Sequence, residues 1–516
     1  MPKVVDFIPP PELKGVHLRL MPHAVRPMLR LAQDMFDRFM RAFGGRVVFI
    51  HGYGFLGGGG GEPTAQLEPS PYSDARESWE KHYRPMAEEI CLFLREKDYR
   101  HLSTPELAEA LSGFFDDAGR VFACTMAPLM GVVTDLAGLV AFCQELFGED
   151  GAREALIMLE GFENDSASTA LQLEPLAAMA QDSERLLTAV RSADLEAITA
   201  APGGTEFVGL FNEYLEEFGH GSQTWWEIQD PTWAEDPSVP LGLIARWAAS
   251  PLLTPTAAHE TAVSRRDAAI ARTEGKISDD ASRKRFHELL GTAHDYVSVV
   301  EGRAHWQQNA VGAVRAPCVA LGARLVAAGA LTDSGDVFLF TLDELCEIAA
   351  DGPAAAAAAT RAGERRAELA SWGRLSPPMT LGQAPEGGPP GPPIMAMMFG
   401  GPPPPSDDPS VIKGVGASPG IVDGTARVIR TMADADRLEQ GDILVCPFTA
   451  PSWTPLFVTV GAVVTNQGGM LAHAAIEARE YGLPCIVGTQ DGTDQIPDGA
   501  RVTVDGTAGT VHVHPD

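Results

Sequence analysis

The stretch that decides the fold of the C-terminal region is AVVTNQGGMLAHAAIEAREYGLPCIVGT, which runs from Ala462 to Thr489. It opens with an apolar, β-branched run that is typical of a buried strand. A turn with Gly468 and Gly469 follows, and glycine lets the backbone approach a ligand closely or adopt positive φ. A helix is then predicted from about Ala472 to Glu480, because a glycine and a proline follow it in the usual order of a helix end.

The residues around this stretch continue the same pattern over 411–516. Short β-branched runs alternate with turn residues, which indicates a compact, β-rich domain with few helices. The predicted strands are TARVIR, DILVC, AVVT, PCIVG, RVTVD and TVHVH.

The segment 376–410, before this domain, is dominated by proline and glycine. Such a composition predicts a semi-rigid linker that neither a helix nor a sheet ladder crosses. Its apolar insert MAMMF (395–399) is expected to dock on a neighbouring surface, which would shorten the reach of the linker.

Residues 1–375 carry apolar side chains three or four apart, which is the period of amphipathic helices. One strand-like run, RVVFI (46–50), interrupts the pattern. GYGFLG (52–57) follows it and fits a dinucleotide-binding pattern only formally, since glycines and Pro63 come next instead of a helix. A flexible loop, which could cover a pocket, is therefore expected there. The predicted fold class is multidomain: mainly helical over 1–375, then the linker, then a small α/β domain rich in strands.

The composition narrows the classes of partner. The formal net charge is -30 and the isoelectric point about 4.8, so phosphate backbones and anionic lipids are repelled. We expect neither nucleic acid nor membrane as partner. The seven cysteines have no paired spacing, and the N-terminus MPKVVDFIPPPELKG lacks the apolar core of a signal peptide. We therefore expect reduced thiols and a cytoplasmic protein. The apolar segment 127–143 is short for a membrane span and is interpreted as a core helix.

His473 falls in the first turn of the predicted helix after the glycine pair. Helix N-termini present unpaired N–H groups and a partial positive charge, which suit a bound phosphoryl group. The same field disfavours imidazolium, so the ring stays neutral and nucleophilic. A neutral ring nitrogen can accept a phosphoryl group and release it again, which divides one transfer into two steps.

The segment resembles the phosphohistidine "mobile" domain of the phosphoenolpyruvate-utilising enzymes, whose pattern is roughly T-x-x-G-G-x-x-x-H-x-A-I-x-A-R-E-x-G-x-P. The stretch GVGASPGIVDGTARV (414–428) resembles the opening of that domain. The resemblance implies a swivelling domain in which His473 is phosphorylated during the reaction. The matching positions are Thr465, Gly468, Gly469, His473, Ala475, Ile476, Ala478, Arg479, Glu480, Gly482 and Pro484.

One position departs from the best-known members of that family. Phosphoenolpyruvate synthases and pyruvate phosphate dikinases usually have threonine two residues before the histidine, whereas this chain has Leu471. This leucine and CPFTAPSWTPLF (446–457) are more similar to rifampicin phosphotransferases and phenylphosphate synthases. The segments 213–238 and 325–345 resemble the acceptor-binding domain of rifampicin phosphotransferases, which implies an acceptor-binding role for 1–375.

The chain contains no G-x-x-x-x-G-K-[ST] loop that would bind nucleotide phosphates. Rifampicin phosphotransferases begin with an ATP-grasp domain, and the chain resembles the part after it. Phenylphosphate synthases have that part on a separate chain. The resemblance therefore implies ATP and Mg²⁺ on a separate ATP-grasp subunit, with the ion held largely by phosphates. No metal-binding cluster of this chain's own is predicted.

Supporting residues follow from the motif and from side-chain chemistry. Thr465, Gly468, Gly469 and Arg479 are predicted to support or hold the phosphate, although a strand end, a turn and a surface ion pair would explain the same residues structurally. An acceptor pocket needs a general base and a cation, and aromatic rings could line it. The candidates for the pocket are His51, Tyr53, His220, Glu227, Arg303 and His305, with Trp225, Trp226, Trp233 and Trp306 as aromatic walls.

These observations lead to one functional hypothesis. The chain is interpreted as the phosphohistidine-bearing catalytic subunit of an ATP-dependent phosphotransferase, which phosphorylates the hydroxyl of a small, phenol-type aromatic compound by a ping-pong relay through His473. The alternatives are a rifampicin-like antibiotic or pyruvate as acceptor, and a non-catalytic phosphorelay protein.

Overall fold

The computed structural model groups the chain by its contacts into two compact units. The first comprises the described parts of Met1–Pro128, Trp225–Pro231 and Trp306–Pro390, and the second those of Leu129–Thr224, Thr232–His305 and Gly391–Asp516. The predicted boundaries at 375 and 411 stay a prediction. The structure describes residues 18–20, 26–57, 61–162, 165–222, 224, 227–249, 254–375, 377–378, 380–381, 397, 400–401, 406 and 408–515.

The first unit combines helices with a small antiparallel sheet of order β2-β3-β1-β4. One of its helices starts at Thr104 with a capping box, in which Ser103 and Glu106 satisfy the first N–H groups of the helix. The elements are β1 (Leu18–Leu20), α1 (Arg30–Ala42), β2 (Val47–Ile50), β3 (Tyr53–Gly57), α2 (Ala75–Ser78), a π-helical turn (Trp79–Tyr83), α3 (Arg84–Glu96), α4 (Thr104–Met126), a 3₁₀ helix (Ser334–Leu339), α15 (Leu342–Ala349), α16 (Pro353–Trp372) and β4 (Thr380–Leu381).

The second unit contains a helical segment and the predicted C-terminal domain. The long helix α14 (Asp280–Ala327) contributes its first half to this unit and its second half to the other. The remaining helices of the helical segment are α5 (Leu129–Phe147), a 3₁₀ turn (Gly148–Asp150), α6 (Gly151–Ile157), α7 (Asp165–Leu171), α8 (Glu174–Gln181), α9 (Glu184–Arg191), α10 (Leu195–Ala200), α11 (Gly204–Phe218), α12 (Ser238–Ala249) and α13 (Pro255–Lys276).

The C-terminal domain is built on a sheet of order β5-β12-β11-β7-β8-β9-β10-β6. The neighbours from β7 to β10 are parallel, and β8 and β9 are buried at every residue, as expected for strands covered on both faces. The elements are β5 (Val411–Lys413), β6 (Val415–Ser418), β7 (Ile421–Val428), a 3₁₀ helix (Met432–Arg437), β8 (Ile443–Cys446), a 3₁₀ helix (Pro451–Val458), β9 (Ala462–Thr465), α17 (His473–Glu480), β10 (Cys485–Val487), α18 (Gly492–Gln495), β11 (Arg501–Asp505) and β12 (Thr510–Val513).

The predicted fold class is confirmed: a mainly helical N-terminal region precedes a small domain built on a sheet. All six predicted strands of the C-terminal domain and the helix after the glycine pair are present. The strands β5 and β6 were missed, because the glycines at 414, 416 and 420 interrupt their apolar pattern.

Two local predictions are wrong. Tyr53–Gly57, expected to be a flexible loop, is strand β3, which pairs with β2 through a two-residue turn at His51 and Gly52. Both turn residues have positive φ, 52° and 77°, which matches the twist of a tight hairpin. Thr380–Leu381, within the predicted linker, pairs with β1, so a sheet ladder does reach this segment. Most of the remaining linker lies outside the described residues.

Among the residues that the structure describes, two helical stretches are long and apolar enough, by length and composition, to cross a membrane: Thr104–Phe147 and Gly302–Ala327. About half of each, 53% and 56% of the most apolar window, is buried inside the protein, as is common for core helices. The segment 127–143, interpreted as a core helix, lies largely in α5.

Candidate functional site

The loop between β9 and α17 is held by hydrogen bonds where it leaves β9. Thr465 Oγ1 donates to the carbonyl of Gln467 over 2.7 Å, and the Thr465 carbonyl accepts from Thr489. Gly468 has φ of 111°, and a Cβ there would lie 2.7 Å from the Cβ of Ala472. Glycine is therefore required at this turn, which delivers the chain to the helix.

His473 is the first residue of α17, and its side chain is only 5% exposed. Its Nε2 lies 3.2 Å from Oγ1 of Thr454, on the 3₁₀ helix Pro451–Val458. Its Nδ1 lies 4.0 Å from Oε1 of Glu477, one helical turn further on. Each ring nitrogen therefore faces an oxygen atom from a different position in the chain.

The start of α17 is suited to an anion. The N-cap residue Ala472 offers no side-chain cap, so side-chain capping does not occupy the N–H groups of the first turn. The loop before it is also fixed from outside the domain, since Leu471 N donates to the carbonyl of Met397 over 2.8 Å. Met397 of the linker insert therefore contacts the loop next to the histidine, and the other residues of the insert lie outside the described residues.

Arg479 is buried on α17, where its Nη1 donates to the carbonyls of Ala417 and Met470, at 3.1 and 2.9 Å. These bonds brace the loop that leads to His473. The predicted contact of Arg479 with phosphate stays a prediction.

The end of α17 is bound to the helical segment of the same unit by what we call the docking contact: Glu160, Gly161, Arg265 and Glu480. The Glu480 carboxylate accepts from Gly161 N at 2.9 and 3.0 Å. Arg265 donates to Glu160 and to the backbone carbonyls of Arg479 and Glu480.

The docking contact holds two carboxylates near one arginine. The pKa of Glu480 is raised to about 8, mainly by burial and also by the neighbouring charge of Glu160, while the hydrogen bond from Gly161 N–H opposes the rise. Burial likewise raises the pKa of Glu160 to about 7, against the charge of Arg265. The contact therefore binds protons more readily than exposed carboxylates do.

Further contacts join the helical segment to the C-terminal domain through backbone carbonyls. Trp247 Nε1 donates to Pro455 O over 3.1 Å, and Arg246 donates to the carbonyls of Ala435 and Leu438. Pro455 belongs to the 3₁₀ helix that also supplies Thr454. The helical segment thus contacts the element beside the His473 ring.

Of the six predicted acceptor residues, the structure brings two together. The rings of His220 and His305 lie 4.7 Å apart and nearly perpendicular. The His305 ring also contacts the ring of Phe218. Phe218 in turn contacts Tyr214, and Tyr214 stacks on Trp233. This pair lies at the edge of an aromatic cluster in the same unit as His473.

Of the other four predicted acceptor residues, one belongs to the second unit and three to the first. Arg303 is two residues before His305 on α14, a spacing that points side chains to different sides of a helix. The remaining three, His51, Tyr53 and Glu227, belong to the first unit. The acceptor pocket predicted from these six residues stays a prediction.

The three residues of the first unit make structural contacts. The His51 ring packs against Trp372 at 5.8 Å, and the Tyr53 hydroxyl lies 3.2 Å from the carbonyls of Trp372 and Leu375. Burial raises the pKa of Tyr53 to about 12, so it remains protonated. Glu227 is buried and accepts from Arg26 over 2.7 Å, while Arg26 also pairs with Asp230.

The aromatic candidates divide in the same way. Trp233 is buried in the cluster of the second unit, and Trp306 is buried in the first. Trp225 and Trp226 lie outside the described residues. Among the described residues, no group of three or more His, Cys, Asp or Glu is placed to hold a metal ion.

Thr454 and Glu477 were missed from the sequence. Thr454 lies in the quoted stretch 446–457, but its distance from His473 is set by the fold. Glu477 occupies a variable position of the family pattern, although the spacing of four from His473 places it on the same helical face.

Comparison with known proteins agrees with this geometry. Residues 438–509 match the family "PEP-utilising enzyme, mobile domain", and residues 125–301 match "Rifampicin phosphotransferase fourth domain". These ranges cover the histidine site and much of the helical segment beside it.

Several curated relatives are similar over long or short stretches. The chain is 30% identical to the chondramide synthase of Chondromyces crocatus over 81% of its length and 11% of the relative's. It is 28% identical to a rifampicin phosphotransferase of a Streptomyces species over 88% of its length and 51% of the relative's. A phosphoenolpyruvate synthase of Aeropyrum pernix is 48% identical over 20% of the chain and 13% of the relative.

The chain spans about half or less of the length of these curated relatives. The two family matches nevertheless cover different parts of it and agree with each other. The chain is therefore similar to the PEP-utilising phosphotransferases in two parts: residues 125–301 match the rifampicin phosphotransferase fourth domain, and residues 438–509 match the PEP-utilising enzyme mobile domain.

Proposed function

We propose that this chain is the phosphohistidine-bearing part of an ATP-dependent phosphotransferase, which transfers a phosphoryl group from His473 to the hydroxyl of a small aromatic compound. The observation that carries the proposal is the position of His473. It is the first residue of a helix without a side-chain cap, within a segment that matches the mobile domain.

The chemistry consists of two half-reactions. In the first, a ring nitrogen of His473 attacks the donor phosphorus, so that an N–P bond forms as the donor P–O bond breaks. In the second, the acceptor oxygen attacks the same phosphorus, and the electron pair of the N–P bond returns to the ring. The hydroxyl proton passes to a general base.

We place the donor, ATP with Mg²⁺, on a separate ATP-grasp subunit in the cytoplasm, as in the phenylphosphate synthases that the chain resembles. The Mg²⁺ would be held mainly by the phosphates. The ring of His473 is buried in this structure, so charging by such a partner requires a rearrangement that exposes the ring. The polar character of the docking contact supports a reversible attachment.

The His220 and His305 pair is our candidate for activating the acceptor. Support comes from the aromatic cluster beside it, since rings stack favourably on an aromatic acceptor. A neutral imidazole in this pair could accept the hydroxyl proton.

A larger antibiotic hydroxyl is the second candidate acceptor. The match of residues 125–301 to the rifampicin phosphotransferase fourth domain favours it specifically. Pyruvate receives less support because Leu471 replaces the usual threonine of the enzymes that use it.

Isotope exchange tests the proposal without the partner subunit. Labelled phenol and unlabelled phenyl phosphate are incubated with the chain and Mg²⁺, without nucleotide. A ping-pong relay transfers the phosphoryl group to His473 and back, so label enters phenyl phosphate. His473→Ala should abolish the exchange, and His512→Ala, at an exposed histidine of the same domain, should retain it.

The same assay separates the alternatives. Exchange only between rifampicin and its phosphate ester would replace the aromatic acceptor with an antibiotic, and exchange only between pyruvate and phosphoenolpyruvate would replace it with pyruvate. Absence of all three exchanges would favour the phosphorelay. Phenol exchange that persists in His473→Ala would exclude the relay through this residue.

A further inference from the structure

The side chain of Glu477 is almost completely buried, with 2% exposed, and its carboxylate points towards the imidazole of His473. The two residues are four apart on α17 and therefore lie on the same face of the helix. The variable position that Glu477 occupies in the mobile-domain pattern indicates that the general relay does not depend on a carboxylate there.

The geometry distinguishes the two ring nitrogens. Glu477 Oε1 is 4.0 Å from Nδ1, whereas Thr454 Oγ1 is 3.2 Å from Nε2. A carboxylate only accepts hydrogen bonds, and its charge favours a proton on the nitrogen that faces it. A hydroxyl can donate or accept, so Thr454 is compatible with a lone pair on Nε2.

We propose that Glu477 is a positioning residue, which holds the proton of His473 on Nδ1 and so leaves the lone pair of Nε2 for the phosphoryl group. This inference rests on the proposed function of His473. It adds a residue that sets the tautomer of the nucleophile in this chain.

Each ring nitrogen of His473 has one role during the transfer. The Nε2 lone pair forms the N–P bond as the donor P–O bond breaks, while the proton stays on Nδ1 throughout. The ring then carries a positive charge, which the N-terminal end of a helix disfavours. The Glu477 carboxylate offsets this unfavourable field. When the acceptor attacks, the N–P bond breaks and its electron pair returns to Nε2.

The direct test uses the unphosphorylated protein. Long-range ¹H–¹⁵N spectra of ¹⁵N-histidine-labelled full-length chain report the tautomer of each ring, and the His473 signals are identified by their loss in His473→Asn. The wild type should show the Nδ1–H form. Glu477→Gln should shift His473 to a mixture of both tautomers, and Glu477→Asp, which keeps the charge, should retain the Nδ1–H form.

Glu480→Gln is the matched control, since it makes the same change on the same helix but acts on the docking contact. It should leave the tautomer of His473 unchanged. An unaltered Nδ1–H form in Glu477→Gln would overturn the inference. The opposite tautomer in the wild type would also overturn it, and this result does not depend on whether Glu477→Gln folds.

Activity gives a second, separate reading. Loss of the carboxylate should slow isotope exchange several-fold, because fewer His473 rings then present the Nε2 lone pair to the phosphoryl group. The tautomer spectra do not depend on phosphorylation, so failure of the exchange assay in the wild type would count against the proposed function alone.

Discussion

Glu227 in the first unit and Glu477 in the second are both buried, and each lies near a basic side chain, but their surroundings give them different roles. Glu227 accepts a charge-assisted bond from Arg26, which pairs with Asp230 as well. Glu477 faces a histidine instead, at the start of a helix. An arginine keeps its proton and holds a fixed structure, whereas an imidazole can change its bonding. A buried carboxylate therefore marks a chemical site only when its partner can react.

Arg26→Ala should have the largest effect, and it tests whether the contact of Arg26 with Glu227 is purely structural. It leaves Glu227 and Asp230 close together without their cation, and uncompensated buried charges of this kind cost on the order of 3 kcal/mol. We expect much faster hydrogen exchange at residues 227–230 and an unchanged tautomer of His473. Arg76→Ala, which removes an exposed pair with Glu80, should change exchange very little. Equal effects of the two changes would contradict a structural role for Arg26.

Arg265→Ala should have the next largest effect, in the docking contact. It removes the donor that links Glu160 to the carbonyls at the end of α17, and hydrogen bonds to charged groups contribute about 2 kcal/mol. Hydrogen exchange of the Gly161 amide, which donates to Glu480, should become faster. Unchanged protection of this amide would show that Arg265 does not stabilise the contact.

The docking contact should also weaken with rising pH. The pKa values of Glu160 and Glu480, about 7 and about 8, lie above those of an unfolded chain, so the folded state binds more protons. Stability is then lost as the pH rises from about 5 through about 8. Protection of the Gly161 amide measured at pH 6 and pH 8, corrected for intrinsic exchange, reports this change. Glu480→Gln should make the protection of this amide less dependent on pH. Protection that increases with pH in the wild type would refute the prediction.

Thr454→Val should have the smallest effect. It removes the hydroxyl beside His473 Nε2 and keeps the shape of the side chain, which costs about 1 kcal/mol for one hydrogen bond. We expect isotope exchange to slow a few-fold without loss of the fold. Thr459→Val, the same change just after the same 3₁₀ helix, is the control. If both variants lose activity equally, Thr454 has no specific role at the ring.

The histidine site was predictable to the extent that it is local. The strand, the glycine turn and the start of α17 lie within one short stretch, whose spacing alone placed His473 at a helix N-terminus. The sequence could not indicate that Leu471 contacts Met397 of the linker insert.

Long-range geometry was not predictable in this way. His220 and His305 meet only because α14 and the residues after α11 are folded together, and the pairing of β1 with β4 joins distant parts of the chain. The loop predicted over 52–57 was wrong because glycine is common in both flexible loops and tight hairpins. Glu477 was overlooked because a sequence pattern records which residues recur but not which side chains are buried.

The central claim is that His473 carries the phosphoryl group. Its most direct test is the intact mass, under alkaline conditions that preserve phosphohistidine, of the chain after incubation with ATP, Mg²⁺ and an ATP-grasp subunit. The wild type and His512→Ala should gain one phosphoryl group, and His473→Ala should gain none. An equal gain in wild type and His473→Ala would contradict the claim.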